Sequence, residues 1–297
     1  MVKIAVTGAT GFVGRHLVEA MLAAGHEVIA IRHSKPLEDG EETSDRLETR
    51  QGSVHERESL VRAFKGADAI AHLVGIIVET KTKKFDKTVV GGTKNAIAAA
   101  KEVGVRHFVY LSAMGTTPEA TTDYHRTKYE AEQMVQASGL TWNIWRPSMI
   151  HGAGDGFVTM LRSMISKAPI VPIIGDGRYK LQPVLVDDVV DVMTRGLSNR
   201  KTHGEILEIG GPEKLEYREI LDIIMNVTGK RRPTMPVPVG LARLGAAVAE
   251  TVLTPAPVTR DQIHMLVSGN TGDNGPLQEK MEYRPVSFEA GLRRYVR

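Results

Sequence analysis

The sequence predicts an α/β fold: a parallel β-sheet wound by helices on both faces, followed by a smaller C-terminal α/β lobe. Three observations predict it. Short, nearly all-apolar runs alternate with segments of helical spacing through the first half of the chain. Strands covered on both faces read as continuous apolar runs, and β/α alternation implies parallel strands joined by right-handed crossovers. A glycine-rich turn at Gly8, Gly11 and Gly14 stands between the first apolar run and the first helical one. The 297 residues suffice for one large domain with an appendage, read here as residues 1–150 and an interleaved lobe at 151–297.

The elements follow in order. Residues 2–7 read as a strand. Residues 14–24 follow with apolar positions Leu17, Val18, Met21 and Leu22 at helical spacing, and Gly25 stands where a helix-terminating glycine belongs. Strands are expected at 27–31, 47–52, 69–74, 106–111 and 141–145, the last stopped by Pro147. Helices are expected at 57–64, 88–103 and 124–138. Beyond residue 150 prolines punctuate shorter elements, with helices expected at 187–197 and 217–227.

Composition excludes several classes. There is no cysteine, hence no disulfide scaffold, thiolate nucleophile or cysteine-ligated metal. The ten histidines are scattered without the spacing of a zinc site, so no metal is expected. Thirty-eight basic against 35 acidic residues give a net charge of +3, too balanced for a nucleic-acid partner, and residues 81–84 and 230–232 read as solvated basic loops. The first strand begins at Val2, leaving no room for a leader, and a cytoplasmic location is expected. Residues 237–253 are the most apolar stretch, too short and too charged to span a bilayer. They read as an amphipathic helix against the protein body, the alternative being a partner or membrane-surface contact. A monomer and a homodimer are equally open.

The turn Gly8-Ala9-Thr10-Gly11-Phe12-Val13-Gly14 directly follows the first strand and opens the first helix. Gly8 allows a tight turn, Gly11 lets a pyrophosphate approach the backbone, and Gly14 lets helix and strand pack closely. The opening N–H groups of the helix then receive phosphate. The fold is thus a dinucleotide-binding doubly wound sheet of Rossmann type. An NAD-selective site carries an acid at the end of the second strand. Here that strand ends Ile31-Arg32-His33-Ser34-Lys35, with no acid before Glu38. Arg32 can pair with a 2′-phosphate and Arg15 can supply a second positive charge, so NADP(H) is favoured over NAD(H).

Tyr124 and Lys128 stand four apart, which on a helix puts both on one face. A phenol with a pKa near ~10 is a poor acid–base group unless tuned, and an ammonium one turn away lowers it. The same lysine can hold the nicotinamide ribose.

The Gly-x-x-Gly-x-x-Gly spacing together with Tyr-x-x-x-Lys resembles the short-chain dehydrogenase/reductase superfamily, particularly its extended (epimerase/dehydratase-like) and atypical branches. The resemblance implies that residues 71–75, with Leu73, Val74 and Gly75, pass under the cofactor, and that Pro147 and Ile150 lie beside the nicotinamide. It implies an Asp after the third strand at the adenine, where this chain has Ser53-Val54. It also implies a Ser or Thr that polarises a carbonyl. Ser112 begins the matching run, Met114 or Gly115 falls where the hydroxyl belongs, and Thr116 or Thr117 can substitute. Residues 183–189 and 210–213 are similar to the extended branch, with Asp187 and Asp188 read as helix caps. Residues 257–262 resemble atypical members related to the NAD(P)H-binding accessory subunit of respiratory complex I.

Two functions are therefore expected. The first is an NADP(H)-dependent oxidoreductase or sugar-nucleotide epimerase/dehydratase-like enzyme acting on a small molecule. Its proton would pass through Tyr124, and Arg178, Tyr179 and Gln182 are positional candidates for substrate contacts. The second is a catalytically weak NAD(P)H-binding module that stabilises a partner assembly. His125 and His151 are expected as pocket walls.

Overall fold

The computed structural model describes residues 1–33, 45–80, 82–253, 256 and 258–296. Ser34, Lys35, Glu38, Lys81 and Pro257 lie outside the described residues. The first half runs β1 (Lys3–Thr7), α1 (Phe12–Ala23), β2 (Glu27–Arg32), β3 (Leu47–Gln51), α2 (Arg57–Phe64), β4 (Ala69–His72), α3 (Gly91–Glu102), β5 (His107–Leu111), α4 (Asp123–Gln136) and β6 (Thr141–Pro147). The second half runs β7 (Ile150–His151), α5 (Phe157–Lys167), β8 (Val171–Ile174), β9 (Lys180–Leu181), β10 (Val184–Leu185), α6 (Val186–Gly196), β11 (Glu205–Ile209), β12 (Leu215–Glu216), α7 (Tyr217–Thr228), β13 (Thr234–Val237), α8 (Val239–Val252), α9 (Arg260–Val267), α10 (Gly275–Lys280) and α11 (Phe288–Tyr295).

Seven parallel strands form the main sheet in the order β11-β6-β5-β4-β1-β2-β3. The chain builds outward from β1 to β3, then crosses to β4 and builds the other way. The reversal between β1 and β4 is the crevice where such sheets receive ligands, at the carboxyl ends of the strands. One face buries Leu17 and Met21 of α1 with Val189, Val192 and Met193 of α6. The other buries Leu60 and Phe64 of α2, Ala96 of α3 and Ala131 of α4 against Ile70, Phe108 and Ile144. A third cluster, Val158, Leu161, Ile220, Ile224, Phe288 and Leu292, forms the core of the second lobe.

Three expectations change. Pro147 does not stop β6. It is the last strand residue, paired with Ile209, and its carbonyl accepts the Met114 N–H at 2.9 Å, which its missing N–H does not prevent. β11 belongs to the lobe by sequence yet extends the main sheet as its seventh strand. α8 does not lay its large aliphatic side chains on the body: of its residues only Ala246 is buried, and Leu241, Leu244, Val248 and Val252 are exposed.

Candidate active site

The site begins at the turn joining β1 to α1. Gly8 takes φ +78°, open to glycine without steric penalty. A Cβ there would lie 3.3 Å from the Leu73 carbonyl carbon and the Val74 nitrogen, so the turn lies flat on the loop after β4. A Cβ on Gly14 would lie 2.8 Å from the Gly8 carbonyl carbon and 2.9 Å from the Ala9 Cα, backbone that cannot swing aside. Gly11 begins α1 with no side-chain cap, and its own N–H donates to Gly8 O at 2.9 Å. The opening N–H groups of α1, from Phe12 and Val13, are left for a ligand at the positive end of the helix dipole. This cradle, which side chains would fill, fits the pyrophosphate of a dinucleotide. Thr10 is half-buried beside it.

At the adenosine end a recess is lined by His33, Gln51, Gly52, Ser53, Glu56, Ser59 and Arg62. Arg32 is exposed at the tip of β2, and its carbonyl accepts the Gly52 N–H at 3.0 Å. Ser53 shapes the bend: its N–H donates to Ser59 Oγ at 2.9 Å, and its Oγ accepts from His55 N–H at 3.2 Å. Val54 is fixed by Asn95, whose Nδ2 donates to its carbonyl at 2.9 Å. Arg15 does not line the recess. Its guanidinium lies 3.3 Å from where a Gly154 Cβ would be, against the second lobe. Sequence reasoning missed Glu56 and Arg62. Their signal was the start of α2, which directly follows the strand that neighbours β2 in the sheet.

At the catalytic end Tyr124 and Lys128 stand one turn apart on α4. Lys128 is 4% exposed, its Nζ donates to Leu111 O at 2.7 Å, and it sits 4.9 Å from the Tyr110 ring centre. A Cβ on Gly75 would lie 3.3 Å from that Nζ, so the ammonium bridges the ends of β4 and β5. Burial pushes Lys128 down to about 8, opposed by the nearby Glu132. Glu132 is wholly buried and accepts from Arg146 Nε at 2.9 Å and Nη2 at 2.6 Å. This bidentate pair under the lysine was also missed, although Glu132 is one turn beyond Lys128 and Arg146 belongs to the Arg-Pro run.

Tyr124 packs edge-on to Phe85 and His125, and burial pushes its phenol up to about 12. The shift is upward, where a lowering by Lys128 was expected, and its cause is burial of the phenol. Burial thus favours the protonated form of Tyr124. Ser112 and Thr116 are buried, and their hydroxyls have no partner among the described residues. Buried hydroxyls are ordinarily bonded, so each is available to a ligand oxygen. Met114 points elsewhere: its thioether lies on Gly272.

Other residues are structural. His125 Nδ1 lies 2.9 Å from Thr122 Oγ1 at the start of α4, and burial pushes the ring's pKa down. His151 packs on Phe288 with Nδ1 3.1 Å from Tyr295 OH, and burial holds it near 4. His72, 2.8 Å from Thr7 Oγ1, is held neutral near 3 by burial and by Lys128. Gln182 ties the lobe together, donating to Gly211 O at 2.8 Å and accepting from Gly272 N–H at 2.9 Å. Tyr179 stacks on Tyr217 and Arg178 is exposed. Asp187 and Asp188 form the acidic first turn of α6, as expected, but Leu185 and neither acid holds the capping position; Asp188 accepts the Val286 N–H at 2.8 Å. Ile150 is half-buried, pairing with Val184 in the short β7–β10 ribbon that follows Pro147. Among the described residues no group of three or more metal-ligating side chains comes together.

The family model described as NAD(P)H-binding matches residues 8–163, from the cradle through α4 into α5. The chain belongs to this NAD(P)H-binding family. One relative is (4-alkanoyl-5-oxo-2,5-dihydrofuran-3-yl)methyl phosphate reductase of Streptomyces griseus, 30% identical over 95% of this chain and 94% of that protein. A second is 4-hydroxy-2-methyl-3-oxo-4-farnesyl-3,4-dihydroquinoline-1-oxide ketoreductase of Stigmatella aurantiaca, 27% identical over 97% and 93%. A third is mitochondrial NADH dehydrogenase [ubiquinone] 1 alpha subcomplex subunit 9 of Arabidopsis thaliana, 26% identical over 88% and 67%. Among solved structures, an epimerase of Methanothermobacter thermautotrophicus superposes with a TM-score of 0.80 at 21% identity, covering 99% of this chain and 90% of that one. The dTDP-glucose 4,6-dehydratase of Streptomyces venezuelae, solved with NAD, gives 0.77 at 23% identity, covering 99% and 95%. The family is thus NAD(P)H-binding, and the fold is shared with these epimerase and dehydratase structures.

Proposed function

We propose that the protein is an NADP(H)-dependent oxidoreductase in which Tyr124 exchanges a proton with a small-molecule carbonyl or hydroxyl. One observation carries the reading: Tyr124 and Lys128 stand one turn apart on α4, Lys128 Nζ reaches Gly75 in the loop on which the Gly8 turn lies, and the buried hydroxyls of Ser112 and Thr116, in the segment after β5, have no partner among the described residues. When bound, the nicotinamide supplies or accepts the hydride at its C4. In the reducing direction the Tyr124 O–H gives its proton to the carbonyl oxygen and is reprotonated from solvent. Lys128 offsets the phenolate charge and holds the ribose. Ser112 or Thr116 donates to the oxygen as negative charge develops. The named reductase and ketoreductase among the relatives support this class over sugar-nucleotide epimerisation. With no cysteine in the chain, a cytoplasmic location is proposed with it.

NADP(H) over NAD(H) rests on Arg32 and His33 at the tip of β2 and on Arg62 in the recess. Calorimetric titration tests it. NADPH should bind more tightly than NADH, and Arg32→Ala should lose most of the difference; equal affinities for wild type would refute the assignment. A second reading, a weakly catalytic module in a partner assembly, is favoured by Met114 in the expected hydroxyl position and by the complex I subunit among the relatives.

A further inference from the structure

We propose that Tyr295, the last residue of α11, is a positioning residue for the dinucleotide, acting through the loop 152–156 on the opening turns of α1. This loop, Gly152-Ala153-Gly154-Asp155-Gly156, joins β7 to α5. Its outer side rests on the helix that carries the phosphate cradle. The Ala153 carbonyl lies 3.1 Å from His16 Nε2, and a Cβ on Gly154 would lie 3.3 Å from Arg15 Nη2. A Cβ on Gly152 would lie 3.5 Å from Phe12 Cζ and 2.5 Å from Val186 Cγ1, so only glycine allows so close an approach. Phe12, Arg15 and His16 belong to the opening turns of α1, and the N–H groups left for phosphate are those of Phe12 and Val13. The loop therefore braces the cradle from the side of the second lobe.

Buried polar groups hold the loop's inner side. Asp155 is 3% exposed. It accepts the Val158 N–H at 2.6 Å, the Gly152 N–H at 3.3 Å and the Tyr295 hydroxyl. The Tyr295 oxygen also lies 3.1 Å from Nδ1 of His151, which is wholly buried. With its proton given to the carboxylate, the hydroxyl accepts from His151, which fixes the imidazole proton on Nδ1. Nε2 is then bare, in keeping with its lack of a partner among the described residues. One hydroxyl thus joins the residue before the loop and the acid within it to a helix 144 positions further along the chain. Three glycines in five residues leave the free loop much backbone freedom, and bonds to a buried carboxylate are of the stronger kind. A second link between α11 and α1 runs over the surface: Asp187 lies 3.9 Å from His16 Nδ1 and 3.6 Å from Arg294 Nη1. Asp187 and Arg294 are more than half exposed, so this link contributes little. The inference rests on the phosphate cradle and is independent of the chemistry at Tyr124.

The test is calorimetric titration of the full chain with NADPH and with NADH, for wild type, Tyr295→Phe and Tyr283→Phe. Tyr283→Phe is the structural control, because the hydroxyl it removes donates to Gly210 O at 2.7 Å and not to the loop. Both variants should lower the melting temperature, and titration is done well below the lower one. Tyr295→Phe should raise the dinucleotide Kd about fivefold or more, the equivalent of one hydrogen bond, and Tyr283→Phe should leave it unchanged. Hydrogen exchange of the 152–156 amides supplies the second readout. It should be slowed by dinucleotide in wild type and accelerated in Tyr295→Phe. An unchanged Kd for Tyr295→Phe, a rise equalled by Tyr283→Phe, or a rise without faster exchange in the loop would overturn the proposal. So would wild-type loop exchange that bound dinucleotide does not slow. A wild type that binds neither dinucleotide would overturn the cradle itself, and the role of Tyr295 with it.

Discussion

Substituting Lys128 by methionine keeps the side chain's length and removes its charge. In the folded protein Lys128 is 4% exposed, and burial pushes it from 10.5 to about 8. At about 1.4 kcal/mol per pH unit, holding the buried ammonium destabilises the fold by about 3 kcal/mol below pH 8. The sign follows from proton uptake. Between about 8 and 10.5 the unfolded chain binds this proton and the folded chain does not, so wild-type stability rises with pH across that window. Lys128→Met lacks this dependence. It also loses the bond to Leu111 O, which offsets about 1–2 kcal/mol. The variant should therefore be about 1–2 kcal/mol more stable than wild type at pH 7 without cofactor, and less stable near pH 10. Urea unfolding at both pH values measures this. Dinucleotide binding should move the opposite way. With a pKa of about 8 the charged fraction drops from about nine-tenths at pH 7 to about one-tenth at pH 9, so wild-type Kd should rise about tenfold while the variant binds weakly at both. A variant less stable at pH 7, with wild-type stability flat between pH 8 and 10, would refute the buried-ammonium argument.

Gly14→Ala should force α1 off β1, because the new methyl meets the Gly8 and Ala9 backbone; a loss of about 1–3 kcal/mol in unfolding free energy and of detectable dinucleotide binding is expected. Glu132→Gln removes one charge of a buried bidentate pair with Arg146 and should cost about 3–5 kcal/mol, lowering Tm by roughly 6–15 °C in a melting scan. A drop of only a degree or two would mean that water reaches the pair. Ser112→Ala and Thr116→Val should separate in steady-state kinetics: the one whose hydroxyl meets the substrate oxygen should lower kcat by roughly a hundredfold with little change in cofactor Kd, and the other should leave kcat near wild type.

The cradle was legible because its demands are local: three glycines, a preceding strand and a following helix fix the geometry within eight residues. Helical spacing likewise placed Tyr124 and Lys128 on one face. What the spacing could not show was where the ammonium points. That depends on the Leu111 carbonyl, brought to Lys128 by the packing of α4 on β5, while burial raises the phenol of Tyr124 instead of lowering it. β11 was missed because Glu205-Ile206-Leu207-Glu208-Ile209 is a short mixed run at the edge of the sheet, and its membership is set by pairing with β6. α8 misled for a general reason. An apolar helix is assumed to bury its largest side chains, yet Leu241 and Leu244 face outward and the alanines face the body. Arg15 was assigned by its nearness in sequence to Gly14, whereas its long side chain reaches Gly154 in the second lobe.

The most direct test of the central claim is oxidation of NADPH, followed by its absorbance, by wild type and Tyr124→Phe over a panel of aldehydes and ketones. The account predicts turnover by wild type on at least one carbonyl, a fall of about 10²–10⁴ in kcat for the variant, and unchanged affinity for NADPH. Turnover retained by Tyr124→Phe, or no oxidation by wild type across the panel despite tight NADPH binding, would contradict it.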